Sequence, residues 1–515
     1  MQAQAYPPPY RGQRDDIPLA ALEPPYAQYV TNFNLDDGIL KFRKGDSAYT
    51  SSVSGHPILD LAQYGVSSNL PLVISVYENG GSFYFRDVIN NSALNNFAAV
   101  YDNTDISHVY FNNYLFFFGG GLNQNVRYYN GSAWGTAGYT WPVGSVPYGG
   151  TVHKNRGYYI EYLTTKYVYT EINAITGPTN EVDLAQVVSQ KSNLFGIRSI
   201  SLSEGIQQEN VLAFVMDTGE VLVYSGSFPN SSDWGLIGRF FIGKPVGYHP
   251  FIDARGDSYV MTQNGLVSLR DLFAKGATIA TDESLTSSIP NRWKQAIIKN
   301  IPYNQYYTNT IPRGVWDSAH QRIIVFLPYY VDKDGNVDTS KSMRFIYSLK
   351  TQSWVEHVAA AVSRCALAIN YPSASLEGGF AIFGSNNNYV FVMEGATGYA
   401  DTNTSGSSVG YDFQMRTSPL YTERFGVNTT TGVELLSTTD AYSKIDYKLI
   451  SNFGQFVTST QKLPDQGSGV QNPFIDIGIQ ANYLQLDISG NTGTALTTGF
   501  EMYAINLWSV KGGVR

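Results

Sequence analysis

Six histidines, one cysteine and 42 acidic side chains are the groups of this chain that could hold a metal ion or move protons. His56, His108, His153, His249, His320 and His357 never fall within four residues of one another, so no local pair has the spacing of helical metal ligands. Spacing alone leaves open a metal site assembled from distant strands. Cys365 has no partner in the chain, which excludes an internal disulfide, and it reads as a small apolar strand residue. Gly406-Ser-Ser-Val-Gly410 has the letters of a nucleophile elbow but lies in a Thr/Ser/Gly stretch without the flanking strand and helix that an elbow needs. Gly238 to Lys244 begins like a phosphate loop, but Pro245 stands where a magnesium-binding hydroxyl should be. Asp332-Lys-Asp-Gly-Asn-Val-Asp338 resembles a calcium loop, yet Val337 and Met343 occupy the positions that require Gly and Glu. Ser231-Ser-Asp-Trp-Gly235 starts like a sialidase box, lacks the later Trp and reads as a polar turn. No residue is assigned as catalytic, cofactor-binding or metal-binding, and the chain is expected not to be an enzyme.

The elements that would carry such groups are short strands. Ile106–Phe111 and Tyr114–Phe118 flank Asn112-Asn113, and Val211–Met216 and Glu220–Tyr224 flank a turn ending in Gly219. Asp257–Thr262 and Leu266–Leu269 flank Gln263-Asn264-Gly265, and further hairpins are expected around residues 157–172, 320–349 and 379–394. Three aromatic strands end in a polar turn and a Trp that opens the next strand: Trp134, Trp234 and Trp354. Recurrent antiparallel hairpins with such aromatics predict a β-propeller, whose blades pack on aromatic wedges. One helix is expected at about 288–301, started by Ser287 or Ser288 and Pro290, with Trp293, Ala296, Ile297 and Ile301 on one face. Residues 181–195 form a weaker helix candidate.

Composition agrees. Of 515 residues 15% are charged and 14% aromatic, which excludes generic disorder and a charged coiled coil. Lys and Arg number 34 against 42 Asp and Glu, a net charge of −8 that argues against a phosphate-gripping surface. The start of the chain lacks the pattern of a signal peptide, and no apolar run reaches 18 residues, so no membrane span is expected. The expected fold is all-β: an extended Pro-rich arm over 1–28, a β-propeller over 29–400 and a β-rich, sandwich-like C-terminal domain over 401–515.

Three stretches resemble the tail nozzle, or head-to-tail stabilisation, proteins of short-tailed bacteriophages. The first runs from Arg14-Asp-Asp-Ile-Pro18 through Pro24-Pro-Tyr-Ala27, Asn32-Phe33 and Asp37-Gly38 to Arg43-Lys-Gly45. The second joins Val223-Tyr-Ser-Gly226, Trp234, Ile242-Gly-Lys-Pro-Val-Gly247 and Thr262-Gln-Asn-Gly-Leu-Val-Ser-Leu269. The third is Phe345-Ile-Tyr-Ser-Leu349 with Trp354. The resemblance implies a structural virion protein, made in the host cytoplasm and built into the viral tail as a hexamer. Its ring would lie below the portal and adaptor proteins, receive tail fibres or spikes, and retain and then release DNA through its lumen without specific binding. Six copies would carry −48, six times −8, which would discourage the DNA backbone from adhering. A carbohydrate-binding propeller, with the surplus Tyr and Trp stacking on sugars, is the alternative expectation.

Overall fold

The computed structural model describes the chain except residues 1, 37, 50–55, 66–71, 99–105, 120–124, 205–206, 248, 276–283, 302–311, 370–379, 387–388, 397, 404, 406, 422–427, 440–443, 453–455, 463–469, 472–473, 494–499 and 512–515. The protein is nearly all β, as its composition predicts; the α-helices among the described residues are Leu269–Lys275 and Pro290–Asn300.

Seven antiparallel sheets follow one another along the chain. Sheet I comprises Ile58–Tyr64, Leu72–Asn79, Ser82–Asp87 and Ser92–Ala98. Sheet II comprises Ile106–Phe111, Tyr114–Gly119, Arg127–Tyr129 and Trp134–Thr136, and sheet III Pro147–His153, Arg156–Glu161, Lys166–Tyr169 and Asn180–Asp183. Sheet IV comprises Leu194–Glu204, Gln207–Met216, Glu220–Ser225 and Gly235–Phe241. Sheet V has three strands, Phe251–Ala254, Asp257–Thr262 and Gly265–Ser268. Sheet VI begins with Arg313–Asp317, Arg322–Leu327, Ser342–Ser348 and Ser353–Ala359. Sheet VII joins Ser363–Ile369, Phe380–Ser385 and Val390–Val392 to Ser47–Ala48 from the far end of the chain. Its first strand contacts the first strand of sheet I, which brings the succession back to its start.

Local chemistry explains the turns. Asn112 and Asn113 both have positive φ, 50° and 65°, as the tight hairpin between the first strands of sheet II requires. Core side chains lie between neighbouring sheets. Phe83, Phe85 and Phe117 join sheets I and II, and Tyr158, Tyr167 and Phe214 join III and IV. Ile58, Val73, Ile382 and the buried Cys365 join VII and I. Burial pushes the Cys365 thiol up to about 12, so it behaves as the small apolar residue expected.

Three expectations change. Residues 181–195 form no helix: Asn180–Asp183 is the outer strand of sheet III, and turns follow it. Helix Pro290–Asn300 forms and buries Trp293, Ala296 and Ile297, but neither Ser287 nor Ser288 caps it. Asp15 takes that role, its Oδ2 accepting from the Arg292 amide at 2.7 Å. The Pro-rich arm is also woven into the molecule. Gln2–Tyr6 pairs with Phe500–Lys511, and Ala27–Thr31 lies between Ser353–Ala359 and Asp412–Thr417. Through that strand sheet VI continues into Asp412–Thr417, Tyr483–Asn491, Lys444–Ser451 and Phe456–Lys462, so one sheet spans residue 400. A second C-terminal sheet holds Phe33–Asp36, Ile39–Phe42, Phe500–Lys511 and Asn428–Thr439. Both contribute to one core, where Phe42 packs against Phe413 and Phe500. Part of the apparent elbow, Gly406, lies outside the described residues.

Candidate functional site

The first strands of all seven sheets line one cavity of about 410 Å³. Gly149, Gly196 and Gly314 let first strands of neighbouring sheets approach closely; a methyl group on Gly196 would overlap the ring of Phe251 in the next sheet. Polar side chains of the lining are engaged with one another. The Nδ1 atom of His108 lies 2.7 Å from Asp60 Oδ2, and the Arg198 guanidinium sits 4.2 Å from the Phe251 ring with its Nε 3.6 Å from Asp253. His249 also faces this cavity.

The remaining histidines are scattered. His56 stacks on Tyr77, and His320 Nδ1 lies 2.8 Å from Asp317. Burial, with Lys154 adding to it, pushes the His153 imidazole down to about 4; its Nδ1 faces Ser199 Oγ at 2.8 Å. Burial and the guanidinium groups of Arg43, Arg322 and Arg344 hold His357 well below its usual range. Among the described residues no three His, Cys, Asp or Glu side chains converge as metal ligands. Asp233 closes a polar turn, and hydrogen bonds from Ser231 and Ser227 hold it down to about 2. Asp332 accepts the amides of Asp334 and Asn336 at 2.9 and 2.8 Å, so the loop that resembles a calcium site folds on its own carboxylate.

The motif-bearing stretches come together elsewhere. The Gln13 amide donates to the Trp354 carbonyl at 2.9 Å, and Asp15 caps helix Pro290–Asn300. From that helix Trp293 packs 5.5 Å from Phe345 and 6.2 Å from Trp354, and its Nε1 donates to the Thr262 carbonyl at 3.0 Å. Trp354 Nε1 donates to the Leu285 carbonyl at 2.8 Å. Residues of all three stretches therefore meet around one helix, and they meet through packing and structural hydrogen bonds.

Arg43 opens a second convergence. Its Nη1 and Nη2 each donate to Asp401 at 2.8 Å, its Nε donates to Asn32 Oδ1 at 2.8 Å, and Nη2 also reaches the Val358 carbonyl at 2.7 Å. The ring of Tyr411 covers the guanidinium at 4.0 Å. Two residues on, a methyl group at Gly45 would overlap the carbonyl of Ala400, which explains why the Arg-Lys-Gly run needs glycine there. Asp46 receives Arg344 at 3.0 and 2.6 Å. Burial alone would raise the Asp46 carboxyl, but Arg344 and then Arg43 outweigh it and hold it below the usual carboxylate range. Sequence reading reaches Arg43 through the motif but misses Asp46, Asp401 and Arg344. Asp401 lies 358 residues from Arg43 and Arg344 lies 298 residues from Asp46, so neither leaves a local spacing signal, while Asp46, three residues from Arg43, takes its shortest ion-pair contact from Arg344.

No protein-family model and no curated protein matches the chain. Among solved structures it is similar to the β-propeller domain of Cps50 (Swd1) from Myceliophteria thermophila, at 10% identity over 68% of this chain and 100% of that one, with a TM-score of 0.41. It is similar to BBS1N in complex with ARL6DN, at 8% identity over 68% of this chain and 97% of that one, with a TM-score of 0.40. It is also similar to YCF48 from Cyanidioschyzon merolae, at 11% identity over 68% of this chain and 98% of that one, with a TM-score of 0.36.

Proposed function

We propose that sheets I to VII are the blades of a seven-bladed β-propeller, latched where Ser47–Ala48 completes the last blade, and that the two C-terminal sheets form a sandwich-like region. We further propose that the protein is a structural virion subunit: the ring-forming tail nozzle of a short-tailed bacteriophage, continuing the DNA channel below portal and adaptor. The observation that supports this reading is the meeting of the three motif stretches at helix Pro290–Asn300, where their side chains brace the arm against sheets V and VI. A shared motif used for bracing suits a scaffold, whereas an enzyme motif would gather reactive groups around a cleft.

The test is the native mass of the purified full chain, alone and mixed with a portal–adaptor complex. Sixfold rings that join the complex, seen by electron microscopy, are expected. A strict monomer that never joins it would overturn the reading.

A further inference from the structure

Each of sheets I to VII ends in an outer strand, and an open strand edge recruits other chains unless something blunts it. Six of the seven are blunted within the molecule. In sheet I, Ser92–Ala98 presents Ser92, Ala93 and Asn96 to solvent, all small or polar. Sheet II ends in only three residues, Trp134–Thr136, and sheet III in four, Asn180–Asp183, of which Glu181 and Asp183 are charged. Gly265–Ser268 of sheet V is buried and contacts both helices. Ser353–Ala359 of sheet VI is met by Ala27–Thr31 and by the Gln13 amide, and Val390–Val392 of sheet VII pairs with Ser47–Ala48.

Gly235–Phe241 of sheet IV is the exception. It runs for seven residues, and among the described residues nothing pairs with its outward backbone groups. Leu236, Ile237 and Phe241 are 41%, 45% and 38% exposed along it. Its one charge does not guard it, because Arg239 turns to Glu220, 3.4 Å away, and to the Val187 carbonyl at 2.5 Å. Leu236, Arg239 and Phe241 lie opposite Tyr224, Leu222 and Glu220. They therefore share the face toward sheet III, with an apolar side chain on either side of the matched arginine.

The shape of the edge selects its occupant. The register shifts beside Tyr224 and leaves Ile237 as a bulge, so the edge bends where a second rigid strand would have to follow it. Seven residues at about 3.3 Å each give an edge of roughly 23 Å, and two rigid sheets meeting along it bury well under the roughly 1,200 Å² of a stable interface. The strands nearest the two ends of this chain are already engaged, since Gln2–Tyr6 pairs with Phe500–Lys511. A flexible segment of a second protein meets each of these conditions. We propose that this edge takes up such a segment as an added strand, main chain to main chain, with apolar side chains at alternate positions packing on Leu236 and Phe241. The nozzle reading makes no use of this edge, and the proposal stands or falls without it.

The test uses the full chain and the fluorescein-labelled peptide Lys-Val-Thr-Ile-Ser-Val-Thr-Lys, read by anisotropy and by hydrogen exchange. Binding is expected, with exchange slowed in residues 235–241 and unchanged in the outer strands of the other sheets. The same peptide N-methylated at its four central residues keeps its side chains, loses its main-chain donors and should bind at least tenfold more weakly. Leu236→Lys should weaken the parent peptide about tenfold while the thermal midpoint of the protein stays in place, and Phe241→Lys serves in the same way if that variant does not fold. No binding at millimolar peptide, equal binding of the N-methylated peptide, or wild-type affinity in a folded variant overturns the proposal. So does slow exchange of residues 235–241 in the chain alone that grows with its concentration, which would give the edge to a second copy.

Discussion

Arg43 shows why a charged residue can sit at zero exposure without catalysis. Its donors meet Asn32, Lys44, Asp401 and Val358, so the desolvation of the guanidinium is offset by bonds at every side of the fork. Arg43→Met strands the buried carboxylate of Asp401, and a loss of about 3–5 kcal/mol is expected in denaturant unfolding. Loss below 1 kcal/mol would mean that Asp401 finds another partner. Two kinds of group set the acid limit. Asp46 titrates below its unfolded value near 4, so the stability that it contributes is complete above that value and disappears as pH falls through the folded pKa. His153 and His357 are bases held down by burial, so the unfolded chain binds their protons first, and stability falls as soon as pH drops below about 6.5. For His153 the decline runs to about 4, its folded value. His153→Gln should flatten the dependence of thermal stability between these two pH values by about 3 kcal/mol; an unchanged slope would remove His153 from the acid response. None of this was legible in sequence, where a histidine on a strand gives no sign of the guanidinium groups that close over it.

Elements were legible where their determinants are local. Asn112-Asn113 supplies two positive φ angles and thereby its own hairpin, and the apolar stripe of Trp293, Ala296 and Ile297 declares its helix. Elements failed where a distant segment decides. Asn180–Asp183 is a strand because Lys166–Tyr169 offers it an open edge, which overrides the weak helical pattern of 181–195. The two-residue strand Ser47–Ala48 exists only through its pairing with Val390–Val392, and no propensity marks so short a piece. The cap of helix Pro290–Asn300 is the same kind of case, since Asp15 is 277 residues from the Arg292 amide that it receives. Asp15→Ala should cost about 1 kcal/mol, the usual value of a lost cap. Hydrogen exchange should then quicken first in the opening turn of that helix and in residues 12–16; protection that falls evenly over the chain would show that the contact is not a cap.

At the scale of the molecule, the three units expected from composition share their cores and sheets. Strand Ala27–Thr31 pairs along its length with Asp412–Thr417 and meets Ser353–Ala359 at Thr31 and Glu356, so one hydrogen-bonded sheet holds strands from both sides of residue 400. Phe33, Leu40 and Phe42 from the early chain are buried with Phe413, Leu435 and Phe500 from the late chain. The Thr/Ser/Gly composition of 401–410 gives no sign of a core role, yet Asp401 within it is the buried partner of Arg43. A fragment ending at residue 400 would expose each of those early side chains, at about 1.5–3 kcal/mol apiece, and would leave Arg43 without its carboxylate. Such losses match the whole stability of an ordinary domain. The fragment 1–400 should therefore fail to give a cooperative transition, while the full chain unfolds in one calorimetric step in which sheet VII and the C-terminal sheets melt together. Two well-separated transitions in the intact protein, or a folded 1–400 fragment, would return residue 400 to the status of a domain boundary and reduce the arm to a strap between independent units.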